Sequence, residues 1–315
     1  MQPSRRRVLE RLADAPASGP ELARDLDMTR AAVWKHIEAL RAADVDIAGE
    51  ADGYRLKDTP AFGEPAVALA VPAFIDVEYY DEIESTNDRA RELADGGERG
   101  VAVVADRQLA GRGRLGRAWT APPGGIYMSL LLEPGLSPAE VPLLTLASAV
   151  ATVDGMAGIE FSASIKWPND VLVCTDGRER KLAGILTEVE GEADRVRWAI
   201  VGIGINANVD DSAIPASAAS IASLMGEPVN RAHLLGAIVT RLLELLETPD
   251  EIIPAWRERA VTLNRRVRVE RDDEIVVGTA VDIAPHGALI VKTENGTERI
   301  HAGDCQHLRP VDDRC

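Results

Sequence analysis

Gly111-Arg-Gly-Arg-Leu-Gly-Arg-Ala-Trp119 and Lys166-Trp-Pro-Asn-Asp170 are the two stretches on which the reading of this 315-residue sequence turns. The first places three glycines and three arginines within seven positions. Glycine lets a backbone approach a ligand closely and adopt conformations closed to other residues. Consecutive N–H groups in such a loop form an anion-binding nest. Arginine adds planar, permanently charged forks that match phosphate and carboxylate oxygens. The second stretch sets a compact ammonium beside a rigid Trp-Pro corner. Together they point to an enzyme that activates a carboxylic acid with ATP. The loop lacks the GxxxxGK[ST] spacing of a Walker motif. Gly111, Gly113 and Gly116 imitate a dinucleotide fingerprint, but arginines intervene and no acidic residue is placed to bind a ribose about twenty positions on. Taken alone, so basic a loop could also touch nucleic acid.

Outward from these motifs, strands and helices alternate. Apolar runs predict strands at 101–104, 126–132, 171–173, 183–189 and 198–205, and helices at 143–153, 231–246 and 254–260. That pattern predicts a central α/β domain with a mixed sheet over residues 76–262. After Asn264 the runs shorten to 267–269, 275–283, 288–293 and 297–301, with turns at Asp272-Asp273, His286-Gly287 and Asn295-Gly296. A small C-terminal β-barrel over 263–315 is expected. On the other side, residues 1–57 read as a winged helix-turn-helix. A first helix carries Val8, Leu9 and Leu12. Ser18 and Glu21 form a capping box for a second. Thr29 caps a third, which turns Ala32, Val33, Ile37 and Leu40 inward and leaves Arg30, Trp34 and Lys35 for another surface. A hairpin wing turns at Asp52-Gly53. Residues 58–75, rich in Pro and Ala without helical caps, read as a linker.

The formal net charge is −16. Only five of the 35 basic residues are lysine: Lys35, Lys57, Lys166, Lys181 and Lys292. Excess acid with so little lysine matches a chain adapted to high salt, or one from a GC-rich genome. Residues 1–57 hold ten basic and ten acidic side chains, so the whole net charge lies in the remainder. A neutral module on an acidic protein suits approach to a polyanion. Cys174, Cys305 and Cys315 fit no metal or disulfide spacing and read as reduced intracellular thiols. No apolar run looks long enough to span a bilayer. A cytoplasmic protein without a membrane is expected.

Further segments join the two motifs. Ser85-Thr86-Asn87 sits where a strand meets a helix and could cap it or face a ligand. Gln108 precedes the glycine–arginine loop. Arg180-Lys-Leu-Ala-Gly-Ile-Leu186 and Gly202-Ile-Gly-Ile-Asn206 follow the lysine motif. In order and spacing, the set from Ser85 to Asn206 resembles biotin protein ligases. Asp282-Ile-Ala-Pro-His-Gly-Ala-Leu289 is similar to that family's C-terminal β-barrel, of SH3-like form. Thr29-Arg-Ala-Ala-Val-Trp-Lys-His-Ile37 and the Gly53-Tyr54 wing look like the DNA-binding domain of its bifunctional, biotin-operon-repressing type.

The resemblance implies a ligase that joins biotin to AMP from ATP. It then passes biotin to a lysine of a biotin carboxyl carrier domain in a biotin-dependent carboxylase. It implies catalytic roles for Lys166, bridging biotin carboxylate and α-phosphate, and for Arg114. Biotin contacts are implied for Ser85, Thr86, Asn87, Gln108, Gly111, Arg112, Gly113, Arg114, Trp119, Lys166, Gly184 and Ile185. Nucleotide contacts fall to Arg112, Arg117, Asn169, Lys181 and Asn206. DNA contacts fall to Thr29, Arg30, Trp34 and Lys35. Mg²⁺ is implied with the triphosphate, although no residue cluster proclaims a metal site. Operator DNA and a homodimer formed with bound adenylate are the implied partners. The family's aromatic adenine lid has no counterpart here, since residues 207–230 contain no aromatic; Ile214 and Ile221 are the candidates left. Three other readings compete. One is a plain ligase whose helix-turn-helix does not bind DNA. Another is a biotinyl-adenylate-sensing transcription factor with weak transfer. The last is a lipoate ligase, against which the glycine–arginine loop argues.

Overall fold

The computed structural model describes residues 1–50, 53–192, 195–271, 274–301 and 303–308. Helix α1 (Pro3–Asp14) buries Val8, Leu9 and Leu12. Ser18 caps α2 (Gly19–Asp25) by accepting from Glu21 N, and Glu21 accepts from Ser18 N in return. Thr29 caps α3 (Arg30–Arg41) through Ala32 N, a contact worth about 1 kcal/mol. Val33, Ile37 and Leu40 turn inward as expected, whereas Ala32 is only half-buried at the edge of that core. Strands β1 (Asp46–Glu50) and β2 (Gly53–Asp58) form the antiparallel wing. Of its expected turn, Asp52 lies outside the described residues.

Residues 58–75 are not a loose linker. Helix α4 (Glu64–Ala70) forms there and buries Pro65, Ala66, Val67 and Ala68. Proline in the first turn of a helix loses no hydrogen bond, so Pro65 starts the helix that its presence seemed to forbid. Arg6 of α1, buried among these residues, donates to Val71 O at 2.8 Å and Ile75 O at 2.5 Å. The winged module is thereby bolted to the chain that enters the central sheet.

The central module comprises β3 (Asp76–Ile83), α5 (Thr86–Asp95), β4 (Val101–Gln108), β5 (Ile126–Leu132), α6 (Val141–Ala157), β6 (Ser164–Lys166), β7 (Asp170–Thr175), β8 (Arg178–Gly191), β9 (Val196–Ile205), α7 (Ile221–Met225), α8 (Arg231–Glu247) and α9 (Ile252–Arg259). Its strands run β3-β4-β5-β9-β8-β7-β6. β3 and β4 are parallel and all other neighbours antiparallel. This is the expected mixed sheet. β3 is the strand expected ahead of Ser85, although it is acidic; β6, only three residues long, was not foreseen.

Alternation along the strands builds two faces. Ala102 and Val104 of β4, Met128 and Leu130 of β5, and Val201 and Ile203 of β9 join the main core with α4, α6, α8 and α9. Val101 and Val103, with Leu131, Trp198 and Ile200, pack under Ala90 and Ala94 of α5 on the other face. The apolar segment Pro138–Ala157, which includes α6, is after all long and apolar enough to cross a bilayer. It is instead a core helix, apolar on every side because it is covered on nearly every side.

Strands β10 (Arg266–Arg271), β11 (Glu274–Ile283), β12 (Leu289–Thr293), β13 (Gly296–Ile300) and β14 (Asp304–His307) form the C-terminal module. They make an antiparallel sheet in the order β13-β12-β11-β10-β14. This is the small antiparallel β module expected, and among the described residues its edge strands β13 and β14 do not pair with each other. The expected Asp272-Asp273 turn and residues 309–315 lie outside the described residues. β14 was not foreseen. Cys305 is a free thiol, pushed up to about 12 by burial. Cys315 lies outside the described residues.

Candidate active site

An open cleft lies on the sheet face that carries α5. On that face the large apolar residues give way to small ones. Ser129 of β5 stands opposite Gly202 of β9, and Gly204 stands opposite Gly184 of β8. The glycines are bare for a reason. A Cβ at Gly202 would meet Asn87 Oδ1 at 2.3 Å, and one at Gly204 would meet the Trp119 ring at 2.8 Å. One at Gly184 would meet both Lys181 and Trp119 at 3.2 Å. The motif glycines thus form a floor on which an asparagine and an indole can lie.

At one end of this floor, hydrogen-bonding side chains converge at the start of α5. Ser85 caps the helix through Asp88 N. Gln108 Oε1 accepts from Thr86 N at 2.8 Å and from Thr86 Oγ1 at 3.1 Å. Ser129 Oγ lies 2.7 Å from Thr86 Oγ1 and 2.6 Å from Asn87 Oδ1. Asn87 Nδ2 donates to Glu188 Oε2 at 2.7 Å. Ser85, Thr86, Asn87 and Ser129 are all buried. Sequence reasoning missed Ser129 and Glu188. A lone serine inside the apolar run of β5 was the available signal for the first.

The other end is cationic. The loop folds back on itself, with Trp119 N donating to Gly111 O and Gly113 N donating to Arg117 O, both at 2.8 Å. Its tip passes through two successive left-handed residues, Leu115 (φ 56°) and Gly116 (φ 70°). Leu115 tolerates that conformation fully exposed to solvent. Arg112 pairs with Asp88, which holds the Asp88 carboxyl below its ordinary range, with help from Arg91. Arg117 pairs with Asp304 of β14 at 2.9 Å. Arg114 differs. Its guanidinium makes only long contacts, to Asn169 Oδ1 at 3.4 Å and Gly303 O at 3.3 Å. Burial lowers its proton affinity, only partly offset by Asp170 and Asp304. Among the described residues no carboxylate pairs with it.

Lys181 Nζ reaches into the cleft, 2.6 Å from Asp170 Oδ1 and 5.1 Å from the centre of the Trp119 ring. A cation over an indole face gains roughly 0.5–2 kcal/mol. Among the described residues Trp119 Nε1 itself has no hydrogen-bond partner, nor has the buried Asn206 Oδ1. Asn169 Nδ2 is tied to Ile185 O, and Asn206 Nδ2 to Lys181 O.

The cleft is lined by Ser85, Thr86, Asn87, Gln108, Arg112, Gly113, Arg114, Arg117, Trp119, Asn169, Lys181, Gly184 and Ile185, all expected from sequence. Lys166, Gly111 and Asn206 do not line it. Lys166 sits on β6 opposite Asp170, half-buried, and its charge acts on Asp304 and Cys305 of β14. Gly111 is where the loop closes on itself: a Cβ there would strike Trp119 O at 2.6 Å. Gly303 and Asp304 line the cleft without having been foreseen. The two lid candidates do not close over it either. Ile221 is fully buried in the main core and Ile214 is buried as well.

On the winged module, Arg30, Trp34 and Lys35 are exposed on α3, as a DNA-reading face requires. The nearby charges of Arg5 and Lys35, with burial as the larger cause, lower the pKa of His36. Thr29 spends its hydroxyl oxygen on the helix cap. Arg55 and Lys57 of the wing are both paired with Glu50.

A cleft with a neutral hydrogen-bonding end and an underpaired cationic end suits an acid-activating ligase, and comparison with known proteins narrows that class. Residues 79–206 match the biotin/lipoate A/B protein ligase family, 262–308 the biotin protein ligase C-terminal domain, and 4–55 a helix-turn-helix domain. The bifunctional ligase/repressor BirA of Bacillus spizizenii is 36% identical over 310 residues, covering 92% of this chain and 93% of its own. Its Escherichia coli counterpart is 30% identical, covering 88% of each. A solved biotin protein ligase of Aquifex aeolicus in complex with biotin and ATP superposes with a TM-score of 0.64 at 29% identity, covering 75% of this chain and 99% of that one. The chain belongs to the biotin protein ligase family. It is an enzyme of the three-module build, with a helix-turn-helix ahead of the ligase and C-terminal modules.

Proposed function

We propose that this ligase carries out both half-reactions in the one cleft. A biotin carboxylate oxygen attacks the α-phosphorus of ATP, releasing pyrophosphate and forming biotinyl-5′-AMP. The amine of a lysine on a biotin carboxyl carrier domain then attacks the acyl carbon, and AMP leaves. The observation that carries this reading is the polarity of the cleft. Ser85, Thr86 and Gln108 would hydrogen-bond a ureido ring at one end, over the glycine floor and the Trp119 wall. At the other, the half-buried, underpaired Arg114 would take the anionic junction of acyl group and phosphate. Such a cation gains most where charge develops in the transition state.

Lys181 already stands in the cleft and would reach the phosphate by leaving Asp170. Lys166 is proposed to bridge carboxylate and α-phosphate from the rim beside Asp170. Arg112 and Arg117 are proposed as further phosphate ligands, which asks them to exchange Asp88 and Asp304 for substrate. Asn169 and Asn206 would face the nucleotide, the second with its orphaned Oδ1. Among the described residues no group of three or more His, Cys, Asp or Glu gathers as a metal site. Mg²⁺ is therefore proposed to arrive on the triphosphate, as the counter-ion of ATP, and not as a resident ion.

The winged module is proposed to bind operator DNA through Arg30, Trp34 and Lys35, with the adenylate-bound homodimer as the binding form and the cytoplasm as its place. Support comes from its exposed cationic face on an otherwise acidic chain. Two experiments test the proposal. Lys166→Ala is expected to lower adenylate formation by ~10²–10³-fold, the scale of one preorganised charge; unchanged turnover would remove Lys166 from the mechanism. Genomic fragments selected on the purified protein should yield a palindromic site only with biotin and ATP present. No enrichment at any salt, with biotin transfer intact, would leave a plain ligase.

A further inference from the structure

The lysine motif is held from outside by the C-terminal side of the molecule. Residues just past α9 run beside β6 in parallel, and Val261 N donates to Ile165 O at 2.9 Å. Trp167 N, one residue from Lys166, donates to Thr262 Oγ1 at 2.9 Å. Thr262 is fully buried. Its hydroxyl lies 3.1 Å from His307 Nε2, on β14. His307 Nδ1 lies 3.1 Å from Glu179 Oε1, which also accepts from Arg265 Nη1 at 2.6 Å. The His307 side chain is only 3% exposed. The Trp167 ring is anchored separately, donating from Nε1 to Gly287 O at 3.1 Å.

Proton bookkeeping fixes how the chain of groups works. A carboxylate has no hydrogen to give, so Nδ1–H of His307 donates to Glu179. In the neutral ring Nε2 then carries a lone pair and accepts the Thr262 hydroxyl hydrogen. That leaves the Thr262 oxygen lone pairs for Trp167 N. Every member is satisfied in this one arrangement, and a satisfied buried network fixes a single geometry.

We propose that Thr262 and His307 are positioning residues that set the backbone carrying Lys166, so that the C-terminal module tunes adenylate formation through this motif. The proposal rests on the reading of Lys166 as the group that bridges carboxylate and phosphate. It explains why β14 is placed where it is. The same strand brings Asp304 to the arginine loop and His307 to the lysine strand, and so couples the two cationic elements. Neither residue touches the substrate cleft.

The test measures single-turnover adenylate formation, biotin affinity and thermal stability on the full-length protein. Thr262→Val keeps shape and removes the acceptor for Trp167 N. It is expected to slow adenylation by ~10–10²-fold, the scale of a displaced reacting group, with biotin affinity unchanged because the amide end lies elsewhere. Thr262→Ser should restore the rate. For His307, Gln places its amide where Nε2 was and Asn places it where Nδ1 was. His307→Gln should therefore keep more of the rate than His307→Asn. Equal losses in the Gln and Asn variants, or rates that merely follow thermal stability, would overturn the proposal. Lys166→Ala distinguishes the two levels. A loss there with none in Thr262→Val overturns the positioning role alone. No loss in Lys166→Ala overturns the reading beneath it.

Discussion

The two ends of the cleft are built on opposite principles. At the amide end, Thr86, Asn87, Gln108, Ser129 and Glu188 satisfy one another on regular elements while Ser85 caps α5, with most of the polar atoms buried. At the cationic end, three arginines sit on an irregular loop whose tip is exposed, and two of them are tied up by surface carboxylates. The first end is organised before any ligand arrives, so under the proposed reading a neutral ring would meet donors and acceptors already in place. The second holds its charges in reserve. A half-buried, underpaired guanidinium is costly without an anion, and Arg114 occupies that state. The difference fits an ordered sequence, in which the neutral ring is recognised first and the loop closes when phosphate supplies the missing charge.

The sharpest break of this contrast is made at the organised end. Gly202→Val would drive a side chain into Asn87 Oδ1, which already lies 2.3 Å from an ideal Cβ. Asn87 must then leave Ser129 and Glu188, and two buried polar groups, Asn87 and Ser129, lose a partner together with the half-buried Glu188. Overpacking and unmet hydrogen bonds each cost about 1–3 kcal/mol. Biotin affinity, read by calorimetry, is expected to fall by ~10²-fold or more. A variant that binds biotin normally would show that this end is softer than its hydrogen bonds suggest.

How much of this was legible in the sequence follows the same division. The winged module could be read because Ser18, Glu21 and Thr29 are local signals, acting within one turn of the helices they start. The mixed sheet could be read from runs of branched apolar residues. The glycine–arginine loop and the residues from Ser85 to Gln108 announced themselves by type and spacing. What escaped is what depends on distant pairing. Glu188 matters because β8 passes α5, and Asp304 because β14 reaches the loop. Nothing local marks either residue. α4 escaped for another reason: Pro65 and its alanines resemble a linker until a helix N-terminus is allowed to begin on proline. Lys166 shows the limit from the other side. Its motif was plain, yet the side chain stands at the rim, and Lys181 is the lysine within the cleft.

A weaker perturbation belongs at the reserved end. Arg114→Gly removes the loop cation that, among the described residues, lacks a carboxylate, so folding should lose nothing and can gain from relief of the desolvated charge. Retention of the adenylate should fall instead, since the ligand loses its counter-charge. A trapping assay is expected to show roughly tenfold faster escape, the worth of one charge-assisted hydrogen bond, with thermal stability unchanged or raised. Lower stability together with normal retention would mean that Arg114 is structural and that the contrast is misdrawn.

The smallest effect concerns the carboxylates that keep Arg112 and Arg117 waiting. Arg117 beside Asp304 holds that carboxyl below its ordinary range, with Lys166 and Arg114 adding to the pull. A depressed acid stabilises the fold above its unfolded pKa, and that contribution is lost as pH falls through the folded value. Both partners are partly solvent-exposed, 60% for Arg117 and 30% for Asp304, so screening confines the pair to about 1 kcal/mol or less. Asp304→Asn should therefore lower stability only slightly at neutral pH, and the gap from the parent protein should close below about pH 4. The same change frees Arg117 for phosphate, so ATP should bind no worse and the salt dependence of its binding should steepen. A gap that widens on acidification would place the stabilising charge elsewhere. Weaker ATP binding would mean that Asp304 holds Arg117 in its working position and does not keep it in reserve.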